Sequence, residues 1–152
     1  MKKIWKLIIS IVLPFLASAI GSLFTASSVS SWYTTLIKPS FNPPSWVFGP
    51  VWTILYLLMG VSLYLVWIKK FDKNAFTFFG IQLVLNALWS ILFFGLKSPL
   101  FAFIEIVFLW IAILITIIYF YKINKISAYL LIPYILWVSF AAILNFAIFI
   151  LN

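Results

Sequence analysis

Four stretches of this chain carry no charged residue, 7–37, 39–68, 74–96 and 126–152, and a fifth, 98–121, carries only Glu105. Each is at least as long as the roughly 20 residues that a helix needs to cross about 30 Å of hydrocarbon. No water satisfies backbone N–H and C=O groups inside a bilayer, so such runs are forced into helix. A soluble domain could not hide this surface, since the 152 residues are 66% hydrophobic and only 8% charged. Pro39, Pro43 and Pro44 exclude the segment that contains them from any helix. The expectation is therefore an all-α membrane protein, a bundle of five transmembrane helices at about 5–26, 46–68, 75–96, 99–121 and 127–150. Residues 27–45 are left as a loop, and no room remains for a separate soluble domain within 1–152.

The first segment imitates a secretory signal, with Lys2 and Lys3, an apolar run and the triplet Ala17-Ser18-Ala19. The apolar run continues to Ala26, however, which is long enough to span, so a retained helix is expected. Ala17, Gly21 and Thr25 form a small-residue stripe on it, of the kind that lets helices approach closely in lipid. Lysine placement gives an orientation. Lys2, Lys3, Lys6, Lys69, Lys70, Lys73, Lys122 and Lys125 fall on one side of a five-helix bundle, and only Lys38 and Lys97 on the other. By the positive-inside rule the N-terminus is expected in the cytoplasm and the C-terminus outside the cell membrane. The net charge of +8 then marks topology and contact with membrane lipid, and no nucleic-acid partner is expected.

The residue inventory excludes most catalysis. Without cysteine or histidine there is no zinc site, thiol nucleophile, disulfide or Ser-His-Asp triad, and no metal site or required cofactor is expected. The two carboxylates, Asp72 in a loop and Glu105 inside the fourth span, stand most of a bilayer apart and cannot form a dyad. Glu105 is expected to lie close enough to the interface to reach water or a neighbouring hydroxyl.

Tryptophan gathers at membrane–water boundaries, and Trp5, Trp32, Trp46 and Trp67 fit such a belt. Trp52, Trp89, Trp110 and Trp137 lie deeper, where each indole N–H needs an acceptor. For Trp110 a backbone carbonyl is the expected partner. On the third helix Gln82, Asn86, Trp89 and Phe93 share a face. Phe48, Trp52, Leu55, Tyr56 and Met59 share one on the second, and Pro133, Trp137, Phe140, Ala141 and Leu144 one on the fifth, with Asn145 beside it. Two amides on one intramembrane face must bond another helix, water or a ligand. Three aromatic faces with a few polar donors between them suit a large, flat, mostly apolar molecule.

The stretch WYTTLIKPSFNPPSWVFGPVWTILYLLMGVSLYLVW (32–67) resembles the signature of the translocator protein family, also called tryptophan-rich sensory proteins or peripheral benzodiazepine receptors. The likeness continues through QLVLNALWSILFFG (82–95) and LLIPYILWVSFAAILN (130–145), and the chain looks like a bacterial member. The resemblance implies a homodimeric five-helix receptor or sensor with a pocket under the first loop. Its expected ligands are porphyrins such as protoporphyrin IX, with drug-like isoquinoline carboxamides and benzodiazepines. Carried onto this chain, the binding positions are Trp32, Tyr33, Pro43, Pro44, Phe48, Trp52, Tyr56, Asn86, Trp89, Phe93, Trp137, Phe140 and Ala141. It also admits a light- and oxygen-dependent breakdown of porphyrin in which Trp52 and Trp137 would be the catalytic indoles, or transport of porphyrin or lipid. The chain ends LNFAIFILN, without the Tyr and Arg of the animal cholesterol-recognition pattern, so cholesterol is not expected at that site. For the dimer, the Ala17/Gly21/Thr25 stripe and the Gly80, Ala87, Ser90 positions are both candidates, and family likeness favours the third helix.

The prolines of KPSFNPPSWVFGPVW (38–52) stiffen the loop and remove backbone donors that lipid could not satisfy. Ser45 is expected to cap the second helix and Pro50 to fall in its first turn. The loop is thereby expected to serve as the pocket's lid.

Overall fold

The computed structural model describes all 152 residues, Met1–Asn152. Five spans long and apolar enough to cross a membrane make up nearly the whole chain, and there are no strands. Helix α1 is Lys3–Val29, α2 Phe48–Lys69, α3 Lys73–Ser90, α4 Pro99–Ile123, α5 Lys125–Leu130 and α6 Ile132–Leu151. The fifth span, Lys125–Leu151, is thus two helices joined at Leu131. The break, absent from the expectation above, has its cause in Pro133, which lacks the N–H that a continuous helix would bond to Tyr129. The turn closes instead through Leu131 N–H to the Ala128 carbonyl at 3.1 Å.

Short polar residues set the other boundaries. The Asp72 carboxylate accepts from Ala75 N at 2.9 Å, Ser98 Oγ from Phe101 N at 3.2 Å, and Asn124 Oδ1 from Ile126 N at 3.0 Å, each capping the helix that follows. Lys97 turns the chain between α3 and α4 with φ of 54°, a left-handed conformation. Ser45 does not act as expected. It opens a 3₁₀ turn, Ser45–Val47, with no side-chain cap, and Pro50 lies within the first turn of α2. The first loop is shorter than 27–45, because α1 runs on to Val29 and a second 3₁₀ turn takes Trp32–Thr35.

The helices pack in a ring, α1 on α2 and α3, α3 on α4, α4 on α5 and α6, and α5 on α2. Small residues make the closest approaches: Gly60 sits against Ser10 and Ile11, Gly21 against Ser90, and Gly95 against Phe24. Of the two stripes considered for self-association, the first therefore packs within one protomer, Gly21 against Ser90, whereas a side chain added at Gly80 in the second would meet nothing within 4 Å. Large apolar side chains such as Leu23, Val84, Leu136 and Ile143 point outward, as a bilayer-facing surface requires.

The first loop is anchored. Ile37 N–H donates to Asn152 Oδ1 at 3.0 Å and Asn152 Nδ2 returns to the Ile37 carbonyl at 2.8 Å, tying the loop to the end of α6. The Tyr33 hydroxyl donates to Asn42 Oδ1 at 3.1 Å, and Lys38 lies over the Tyr33 ring at 4.6 Å. Burial pushes the Tyr33 pKa up, which keeps its hydroxyl a donor.

Candidate ligand cavity

At the loop end of the bundle the helices splay around a cavity of about 380 Å³, within the size range of small-molecule sites. Phe48, Trp52 and Tyr56 of α2 line one wall, Asn86, Trp89 and Phe93 of the third span another, and Trp137 and Ala141 of α6 a third. Tyr33 closes part of the top. Four expected positions stand elsewhere. Trp32 packs edge-on against Phe93 at 5.6 Å, and Phe140 lies behind Trp137, between it and Phe41. Pro43 and Pro44 belong to the loop but do not reach the cavity wall.

The rings are arranged as mutual supports. Trp52 stacks on Tyr56 at 5.7 Å and meets Tyr134 edge-on, Trp89 stacks on Phe93 at 5.1 Å, and Phe48 meets Trp137 edge-on at 6.1 Å. A π turn over Ile91–Gly95 ends the third span, closed by Leu96 N–H to the Ile91 carbonyl at 2.8 Å. Such irregular turns recur at functional positions. This one carries Phe93 and Phe94, both of which line the cavity.

Beneath the cavity lies a buried polar network. The Tyr56 hydroxyl donates to Asn86 Oδ1, Asn86 Nδ2 donates to the Tyr134 hydroxyl at 2.9 Å, and that hydroxyl donates to Gln82 Oε1 at 2.7 Å. The two amides of α3 thus find partners on α2 and α6, which answers the question their shared face raised. Tyr134, the hub of the network, was not singled out by the periodicity of the fifth span. Higher up, Trp89 Nε1 donates to Asn145 Oδ1 at 3.0 Å and Asn145 Nδ2 to the Pro99 carbonyl at 2.8 Å. Asn145→Leu would orphan both groups, so a loss of about 1–3 kcal/mol is expected, read as a lower midpoint of thermal aggregation in detergent.

Two polar groups depart from expectation. Trp110 Nε1 donates to the Ser139 hydroxyl at 2.8 Å, not to a backbone carbonyl. Glu105 meets no neighbouring hydroxyl: it is buried at 6% exposure and both carboxylate oxygens lack a protein partner. Among the cavity-lining side chains only Trp137 holds a buried polar atom, its indole N–H, with no acceptor. Sequence reasoning also missed a whole wall, because Ser18, Gly21, Ser22 and Thr25 bring α1 to the cavity.

Residues 10–151 match the TspO/MBR family. The chain belongs to that family. It is 49% identical over 151 residues to the tryptophan-rich protein TspO of Archaeoglobus fulgidus, covering 98% of each chain. It is 36% identical over 140 residues to the human translocator protein, covering 89% of this chain and 83% of that one. With the tryptophan-rich sensory protein of Cereibacter sphaeroides it shares 34% identity over 146 residues, 94% of this chain and 92% of the other. Membership and the five spans together make this a multi-pass membrane protein of the sensor and translocator family.

Proposed function

We propose that this protein is a membrane receptor for a flat, largely apolar heteroaromatic ligand of the tetrapyrrole class, protoporphyrin IX being the representative. Isoquinoline carboxamides and benzodiazepines fit the same description. The observation that carries this reading is the cavity bounded by Phe48, Trp52, Trp89, Phe93 and Trp137, aromatic on three sides. Aromatic faces favour flat π systems by roughly 0.5–1.5 kcal/mol per contact beyond their area. The unpaired Trp137 N–H is a donor for which a ligand acceptor would compensate. Titrating protoporphyrin IX into the detergent-solubilised protein is expected to quench intrinsic tryptophan fluorescence saturably, and an isoquinoline carboxamide to reverse it. Linear quenching that no competitor reverses would refute the reading.

Trp52 and Trp137 share the cavity, which supports a second reading, oxidation of bound porphyrin by molecular oxygen under illumination. Loss of the porphyrin absorbance band in air and light should then exceed that of porphyrin with an inert membrane protein. Equal rates would leave a receptor alone. The same proposal places the N-terminus in the cytoplasm and the C-terminus outside, supported by the lysine-rich end that gathers Lys69, Lys70, Lys73, Lys122 and Lys125. In intact cells, an impermeant maleimide should label a cysteine placed at Lys97 and not one at Lys70. The reverse pattern would invert the topology. A homodimer through α3 belongs to this reading too, supported by the open surface at Gly80.

A further inference from the structure

We propose that the cavity is loaded from within the bilayer, through a slit between α1 and α2 at the loop end, by a ligand already dissolved in lipid. The proposal rests on the cavity being the ligand site. Its starting point is the register of the two antiparallel helices. Gly60 lies against Ile11, and the Phe15 and Tyr56 rings meet at 6.1 Å. Continued residue for residue, the same register sets Ser18 opposite Thr53 and Ser22 opposite Gly49.

The seam changes character along its length. At Gly60 the helices touch so closely that an added Cβ would lie 2.9 Å from both the Ile11 Cα and the Ser10 carbonyl oxygen. Beyond the Phe15–Tyr56 contact the facing side chains shrink to two serines, a threonine and a glycine. A side chain at Gly49 would meet nothing within 4 Å. Ser18, Ser22, Gly49 and Thr53 all line the cavity, and Ser22, Gly49 and Thr53 are exposed. Exposed small residues on the cavity wall leave the seam open there.

Nothing ties this part of the seam shut. The Thr53 hydroxyl donates to the Gly49 carbonyl of its own helix at 2.8 Å, and the Thr25 hydroxyl to the Gly21 carbonyl of its own at 2.9 Å. The route past the loop is the opposite case. Two hydrogen bonds clasp Ile37 to Asn152, Tyr33 is bonded to Asn42, and Lys38 covers the Tyr33 ring. A ligand coming from water must break these contacts, whereas one sliding edge-on from the lipid displaces only acyl chains. Flat apolar molecules concentrate in the bilayer, so their supply lies on that side.

The chain has no cysteine, which makes the test direct. Ser18→Cys with Thr53→Cys, and separately Ser22→Cys with Gly49→Cys, are to be bridged by a reducible bifunctional thiol reagent in liposomes loaded with protoporphyrin IX. Bridging is expected to slow both the appearance and the reversal of tryptophan quenching roughly tenfold or more, as gated association does, and reduction to restore the rates. An Ile37→Cys, Asn152→Cys disulfide that locks the loop is expected to leave the rates unchanged. Saturable quenching at equal rates in bridged and reduced protein, or slowing by the loop lock alone, would overturn the slit and leave the receptor reading intact. Absence of saturable quenching in the reduced protein would overturn both.

Discussion

Gly60→Val is expected to cost stability at the upper end of the about 1–3 kcal/mol typical of overpacking, and to disperse the cavity as well. The reason is what the new side chain would strike. Its Cβ alone would come within 2.9 Å of the Ile11 Cα and the Ser10 carbonyl, both backbone atoms, so no rotamer change can make room. The two helices would have to separate, taking the Phe15–Tyr56 contact with them. The check is the midpoint of heat-induced loss of the monodisperse peak in detergent. Gly80→Ala supplies the comparison, because open space surrounds that position. Alanine in a helix interior is favoured over glycine by roughly 0.5–1 kcal/mol, so this variant is expected to match or exceed the parent. Equal midpoints for both variants would mean that α1 and α2 do not touch at Gly60.

Asn86→Leu is expected to rank second. It removes the acceptor of the Tyr56 hydroxyl and one partner of Tyr134, though Tyr134 keeps its bond to Gln82. The largest consequence is one fully orphaned buried hydroxyl, on Tyr56, worth about 1–3 kcal/mol. Interhelical hydrogen bonds in membranes average only about 0.6 kcal/mol, so loss of the bond itself is the smaller part. Tyr56→Phe then distinguishes the two contributions. Added to Asn86→Leu it removes the orphan, and the double variant is expected to be more stable than Asn86→Leu alone. If the second substitution instead lowers the midpoint further, the hydroxyl is not stranded and the network is not built as described.

The spans were legible in the sequence because hydrocarbon leaves the backbone no alternative to helix, and hydropathy therefore reads almost directly as structure. Helix α1 ended three residues past the expected boundary, since Ala26, Ser27 and Ser28 carry no signal that stops a helix in lipid. The break at Leu131 was foreshadowed by Pro133, but a proline in a membrane span does not by itself show whether the helix bends or stops.

In the cavity, periodicity assembled the aromatic faces of α2, α3 and α6 because large rings at helical spacing are conspicuous. It overlooked Tyr134, which lies one turn from Trp137 but points into the protein below the cavity. It also overlooked the wall from α1, where Ser18, Ser22 and Thr25 repeat at helical spacing without bulk. The small residues of α1 are, by sequence, one of two candidate surfaces for a partner chain. In the folded protomer Gly21 meets Ser90, and the hydroxyl row flanks the cavity. Glu105 shows the limit of reasoning from depth alone: a place about two turns into α4 does not reveal whether its carboxylate faces lipid, water or a neighbour. Pro43 and Pro44 lie in the loop but not on the cavity wall, a placement set by the path of the loop, which spacing cannot supply.

The most direct measurement is the affinity of protoporphyrin IX for four variants, followed by fluorescence titration in detergent. Trp52→Leu and Trp137→Leu each remove an aromatic wall of the cavity, and each should weaken binding by about two- to tenfold, the range that one lost aromatic contact allows. Trp5→Leu and Trp46→Leu remove indoles that are 56% and 74% exposed and do not line the cavity, and should leave the affinity unchanged. Equal affinity in all four variants, or a loss confined to Trp5 and Trp46, would place the porphyrin on the lipid-facing surface and contradict the cavity as its site.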